Sequence, residues 1–491
     1  MDRGKPRTTR TSYGVGTGQR VASGIFWAAL FLVYPLVLNY PLLVTTRAAP
    51  NGALATVAAK AVALVALTIL GILLWLITTP DLNLRDLGRR WAAQPNHWKW
   101  LTIFLIVLVA SGLFAIKGFF YALQGDSVRY DGLLFELCWY LMAALAAAMV
   151  RRSGDPVPAL RWAAAGGLVI AAWATLQAYG IEPFYFLNHI FVLYTYGMPA
   201  ASLGHQAIVA GYLATLTVIW SAWLVLEGGR QPKRLLGSWL IPPALTVGLV
   251  ASGGRAGLVA AAVLWIVFLV AWGRQKPYRM VALWVSLSLL IAGMAVALTN
   301  HHGGHRIDSL AVAARGQNPS LNHRFITWEA GLKAILHRPI TGYGPDAFAI
   351  EVWKYTSPAQ ARRLFTEFIP KAEAAHAVRK GTALVYVNPK IHRVGVLNMN
   401  YDKAHNYFID LGVASGVVAL ALFIGYLLSS WRFLLRYGGA FGIATTLAIL
   451  TFLLFAEAWF YTIDIDPMIW GLLGLGLGVA QARKAGQAAR P

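Results

Sequence analysis

Long apolar runs separated by short polar connections dominate the chain, and runs of roughly 17 to 25 residues are the length that crosses a bilayer. Such runs lie near 23–44, 57–79, 100–121, 133–150, 162–180, 206–227, 237–252, 256–273, 281–299, 407–430, 440–462 and 467–482. They predict about twelve membrane-spanning helices. The first run follows a basic tail (Arg3, Lys5, Arg7, Arg10, Arg20). It is longer than a signal-peptide core and has no convincing small-residue cleavage site, so it reads as a retained span.

The stretch 300–406 breaks the pattern, being polar and too long for a simple connector. Within it Phe325 to His337 has helical apolar spacing and stops before Pro339, and Gly342, Gly344 and Pro345 mark a turn. Ser357 to Lys380 reads as a second helix, amphipathic and basic, of the kind that lies along a membrane surface. No repeat of fixed period is evident. The expectation is an all-α polytopic membrane protein organised as a tail (1–22), a membrane domain of about nine helices (23–299), a large loop (300–406), about three more helices (407–482) and a second tail (483–491).

Composition agrees: the chain is 58% hydrophobic and 13% charged, with a mean hydropathy of +0.57, which no ordinary water-soluble core accommodates. The net charge of +22 first suggests nucleic acid. Its placement decides otherwise, because basic residues mark the cytoplasmic ends of spans. Arg85, Arg89, Arg90 and Lys99, then Arg151, Arg152 and Arg161, then Arg230, Lys233 and Arg234, then Arg274, Lys276 and Arg279, then Arg432 and Arg436 fall in alternate connections. The opposite short loops carry only Arg47, Arg129 and Arg255. Both termini are therefore expected in the cytoplasm and the large loop outside, with membrane lipids and no nucleic acid as surroundings. The single cysteine, Cys138, excludes an intrachain disulfide and a cysteine metal cluster.

Three sites at the external ends of spans carry candidate chemistry, since ionisable residues there are costly to desolvate unless paired, hydrated or functional. Ser252-Gly-Gly-Arg255-Ala-Gly257 is a tight turn presenting an arginine, suited to gripping a phosphate; a snorkelling arginine at a hairpin tip would look the same. Arg324, preceded by Asn322 and His323, has Trp328 one turn later on the same helical face. It is placed at the start of the first loop helix, where free backbone donors also favour an anion; a solvated helix start is the plainer reading. His405-Asn406 stands where the loop re-enters the membrane, followed by Asp410, Gly412 and Gly416. A histidine titrating near neutrality suits proton removal from a sugar hydroxyl, or simply caps the helix.

Weaker candidates are Gly204-His205-Gln206 and the pair Asp464 and Asp466, which read as solvated loop carboxylates. Lys60 and Lys117 read as snorkelling or cavity-lining. His301, His302 and His305 read as a polar linker. No phosphate loop, Rossmann glycine pattern or helical zinc motif is present. A transporter or flippase would suit the span count, but repeated halves and broken helices, its usual marks, are not apparent.

Taken in order, Ser252 to Gly257, Arg324 and Trp328 followed by Pro339, Gly342, Gly344 and Phe348, and His405-Asn406 with Gly416 resemble the signatures of the superfamily of O-antigen ligases, O-antigen polymerases and bacterial O-oligosaccharyltransferases. The resemblance runs from about Leu203 to the last spans. It implies a GT-C-like membrane glycosyltransferase of the bacterial inner membrane, with its site facing the periplasm. The donor would be a glycan on undecaprenyl diphosphate and the acceptor, for a ligase, the lipid A-core of lipopolysaccharide. Arg255 and Arg324 would steady the leaving diphosphate and His405 would be the base, in an inverting transfer needing no metal or other cofactor. Asn406, Trp328, Asp410 and His323 would support them. The chain departs from its relatives at Ala414, where an acidic residue is common, and at His205-Gln206, where an asparagine-rich motif is common. The ligase is favoured over the polymerase and the protein glycosyltransferase because the loop is moderate in size and strongly basic.

Overall fold

The structure, a computed structural model, describes residues 17–38, 58–79, 92–126, 129–183, 199–228, 238–299, 319–365, 378–380, 383–388, 393–398 and 403–488. In hydrocarbon every backbone polar group must be bonded within its own segment, so the apolar runs become helices. They are α1 (Thr17–Leu36), α2 (Ala58–Thr78), α3 (Asn96–Leu113), α4 (Leu133–Arg151), α5 (Val157–Ala178), α6 (Gln206–Glu227), α7 (Ile241–Ser252), α8 (Arg255–Gly273) and α9 (Arg279–Thr299). The polar region supplies α10 (Pro319–His337) and α11 (Pro358–Phe365), and α12 (Tyr407–Tyr437), α13 (Gly439–Ala456) and α14 (Asp466–Ala488) follow. Among the described residues ten of these, all but α7, α10, α11 and α14, are long and apolar enough to cross a membrane. The short α7 and the partly charged α14 stand at the two remaining expected runs.

Helix α6 is the hub, its apolar stretch wholly enclosed by its neighbours, whereas α9 is peripheral. Helix α14 packs against α4 through Gly474 and Gly478; a Cβ on Gly478 would lie 2.5 Å from the Ala147 carbonyl oxygen. Small residues at such crossings let helix backbones approach where apolar burial gives no preference. Arg151, Arg152, Arg274, Lys276, Arg279, Arg436, Arg483 and Lys484 lie at one end of the bundle. The starts of α6, α8 and α12, with His205, Arg255 and His405, lie at the other.

At that second end α10 lies against α12, and Ile326, Ala330, Ala334, Ile335, Tyr343, Phe348, Trp353 and Val413 form a small core of their own. The turn expected at Gly342 to Pro345 is a joint with the membrane helix. Helix α12 breaks at Gly416, whose φ of 79° is costly for any residue with a Cβ. There Tyr343 N donates to Val413 O (2.9 Å), Gly344 N to Ala414 O (2.8 Å) and Val417 N to Pro339 O (2.6 Å). Ser111 of α3 adds a hydrogen bond to Ala414 O (2.8 Å). The segment 339–344 thus takes over the carbonyls freed by the break. The sequence reading that broken helices are absent is corrected here.

The second loop helix does not run to its expected end at Lys380. Among the described residues Pro358–Phe365 is helical, and Val378–Lys380 is β1 of an antiparallel sheet with β2 (Ala383–Asn388) and β3 (Arg393–Asn398). Val385 sits opposite both Val378 and Val396. Basic residues at helical spacing suggested a helix up to Lys380, but Val378–Lys380 pairs with β2, where Val385 and Val387 alternate at period two. The remainder of Ser357–Lys380 and the histidines at 301, 302 and 305 lie outside the described residues.

Candidate functional site

Helix α8 begins at Arg255 because Gly253 closes α7 in the left-handed region, with φ 67°, and Gly254 lets the turn press onto the start of α6. A Cβ on Gly257 would lie 2.6 Å from the Ala210 carbonyl oxygen, so the glycines of this turn are set by close approach to α6. The turn thereby seats Gly254, the residue before Arg255, against the Gln206 carbonyl and Ala207 at the start of α6.

Arg324 approaches from α10. It lies five positions inside that helix, which starts at Pro319, so the free backbone donors of a helix start are not beside it; this corrects the sequence expectation. Its guanidinium is lowered below the usual value first by burial and then by the charge of Arg255. Arg324 is thus partly buried and feels the like charge of Arg255, and an anion held near both guanidinium groups offsets that repulsion.

One turn further on, Thr327 Oγ1 donates to Ala404 O (3.1 Å), tying α10 to the turn that carries His405. His405 has φ 56°, unusual for a residue with a side chain. Its ring meets Phe460 edge-on at 5.2 Å and Trp459 at 5.5 Å. Trp459 also carries the ring of His205 at 4.7 Å, so two histidines share one indole. Arg129 lies over Phe460 at 4.4 Å, so the ring that meets His405 also carries a guanidinium.

Asn406 is the N-cap of α12: its Oδ1 accepts from Phe408 N and Ile409 N, both at 3.1 Å. Its Nδ2 donates to Glu457 Oε2 at 2.6 Å. Burial raises the Glu457 carboxyl, and this hydrogen bond partly offsets the rise. Asp410 Oδ1 accepts from Ala404 N (2.7 Å), so this carboxylate shapes the His405 turn from below. Trp328 rests against Phe325 at 5.6 Å, and its buried Nε1 has no hydrogen-bond partner among the described residues. His323 precedes Arg324 on α10, where adjacent residues point about 100° apart, so the two do not share a face.

Sequence reasoning did not find what lies beneath this turn. Lys403, 1% exposed, forms ion pairs with Asp131 and with Asp346 Oδ1 (3.2 Å), and lies 4.5 Å from the centre of the Tyr461 ring. Asp464, expected to be solvated, is buried and held 2.7 Å from Lys60 Nζ. Asp466 is buried too, accepting from Thr462 N (2.8 Å) and Trp470 Nε1 (3.2 Å). Lys60 does not snorkel; it also donates to Ser202 O at 2.8 Å. Lys117 lies past the end of α3, its ammonium 3.7 Å from the centre of the Tyr121 ring.

The fold is that of a polytopic membrane protein, with Arg255, Arg324, His205 and His405 at one end of its helix bundle. Residues 243–424 match the family model described as O-antigen ligase, which supports the O-antigen ligase family for this chain. The match contains Arg255, Arg324 and His405. Members of that family are membrane glycosyltransferase-like enzymes acting on lipid-linked glycans and lipid acceptors. No curated protein matches the chain.

Proposed function

We propose that the protein is an O-antigen ligase of the bacterial inner membrane. In this reading it moves a glycan from undecaprenyl diphosphate to a hydroxyl of the lipid A-core on the periplasmic face. The observation that carries the reading is the hydrogen bond from Thr327, one turn from the partly buried Arg324, to the Ala404 carbonyl beside His405, with the charge of Arg255 felt at Arg324. As the bond between the anomeric carbon and the diphosphate oxygen breaks, its electron pair leaves with the diphosphate. Fixed guanidinium groups stabilise that growing charge more in the transition state than in the bound donor. His405 takes the proton of the acceptor hydroxyl as its oxygen bonds to the anomeric carbon from the opposite side, which inverts the centre. Exclusion of water around the half-buried site strengthens each of these interactions.

The test is transfer of glycan from undecaprenyl diphosphate to lipid A-core by purified protein, with chelator present. Wild type is expected to form product, His405→Ala to lose at least about 100-fold, and Arg324→Lys, which keeps charge but loses the planar fork, to fall between them. A folded wild type that extends the lipid-linked glycan instead of transferring it to lipid A-core would make the protein a polymerase.

A further inference from the structure

His405 occupies a strained turn that is fixed from three directions. Asp410 Oδ1 accepts from Ala404 N, Thr327 Oγ1 donates to Ala404 O, and Asn406 caps the helix that follows. The remaining anchor is the Lys403 side chain. Its two carboxylates come from distant elements: Asp131 from the approach to α4, and Asp346 from just beyond the joint at Gly344. Asp346 is itself held, with its Oδ2 accepting from Asp126 N (2.7 Å) and Tyr121 OH (3.0 Å), and it has φ 58°. The Lys403 carbonyl oxygen lies 3.2 Å from His405 Nδ1. A carbonyl only accepts, so this contact selects the ring form that carries its proton on Nδ1 and leaves the lone pair on Nε2.

We infer that Lys403 is a positioning residue for His405: clamped between Asp131 and Asp346, it fixes the carbonyl that orients the imidazole and leaves Nε2 as the atom that receives the acceptor's proton. The role rests on the reading of His405 as the base. A turn held at positive φ by a residue with a side chain persists only where its surroundings over-determine it. Among the described residues of the turn, Lys403 is the one whose side chain reaches both the approach to α4 and the segment just beyond the joint.

Lys403→Met alone strands two buried carboxylates, so the test uses Lys403→Met/Asp131→Asn, which removes one charge of each sign, beside Lys403→Arg. Nitrogen-15 spectra of histidine-labelled protein, with His405 assigned by its loss in His405→Gln, report the ring form directly. Wild type and Lys403→Arg are expected to hold the proton on Nδ1, and the double variant to show a mixture of both neutral forms. Glycan transfer by the double variant is expected to fall about 100-fold in kcat with the acceptor KM unchanged, and Lys403→Arg to stay within about tenfold of wild type. A folded double variant with the wild-type ring signal and wild-type kcat overturns the positioning role. A ring that changes in the double variant while His405→Ala keeps wild-type transfer overturns the base reading and leaves the positioning of the ring standing.

Discussion

Lys60 and Lys403 are both sealed inside the protein, 0% and 1% exposed, yet they are charged in different company. Lys60 faces one carboxylate, Asp464, whose second oxygen accepts from Thr462 Oγ1 (2.9 Å), and the ammonium adds the Ser202 carbonyl. The pair is matched and satisfied. It joins α2 to the loop before α14 and to the turn preceding His205. Lys403 faces two carboxylates, Asp131 and Asp346, in a turn whose neighbouring histidine is strained. Its charge is outnumbered, and burial together with Asp346 pushes Asp131 up to about 6. Burial alone would lower Lys403, but Asp131, Tyr461 and Asp346 hold it well above the usual lysine value. Buried charge thus does two jobs here: a balanced pair staples loops, and an unbalanced triad sits where a side chain must be aimed.

Breaking the balanced pair should have the largest effect. Lys60→Met leaves Asp464 buried without its cation and is expected to cost about 3–5 kcal/mol, read as thermal unfolding in detergent. Lys60→Met/Asp464→Leu should recover most of that loss. The corresponding charge-balanced repair at Lys403 should restore folding without restoring transfer, and equal recovery of both properties at the two sites would erase the distinction. Gly416→Ala follows, at about 2–3 kcal/mol, because its φ is 79° and its Cβ would meet the Pro339 carbonyl oxygen at 2.5 Å.

Third is a pH effect centred on Asp131, worth at most about 3 kcal/mol. The folded-state value for Asp131 lies above the ordinary carboxylate value of 3.8. The folded protein therefore holds that proton longer than the unfolded chain does. The stabilisation is complete at low pH and is lost as pH rises from 3.8 to about 6. Unfolding midpoints across this range should fall in wild type and fall less in Asp131→Asn. Asn406→Ala should cost about 1 kcal/mol as a lost N-cap, by the same measurement. Smallest of all, Glu329→Gln should leave the unfolding midpoint unmoved, since the Glu329–Lys333 pair on α10 is about half exposed.

The helices at the twelve expected positions were legible because an apolar run of bilayer length has few alternatives to a helix. Arg255, Arg324 and His405 were legible as ionisable residues at helix ends or beside them, and the structure brings them to one end of the bundle. Lys60 and Lys403 were not, because their partners lie far along the chain: Asp464 is separated from Lys60 by about four-fifths of the sequence. An acidic pair near a loop, such as Asp464 and Asp466, looks the same in sequence whether it meets water or a lysine. Gly342, Gly344 and Gly416 were visible as glycines, but their shared purpose at the break in α12 needed the backbone contacts.

The joint between 339–344 and the break at Gly416 also orders the birth of the protein. A chain made from its N-terminus exposes Pro339 to Gly344 well before Val413 to Val417 exists, so the carbonyls of Val413 and Ala414 reach their partners only after α12 has been threaded into the bilayer. His405 stands at the entrance to that same helix. A chain interrupted before α12 is inserted therefore carries both arginines but neither His405 nor the partners of the 339–344 segment, so the joint is among the last parts of the molecule to close.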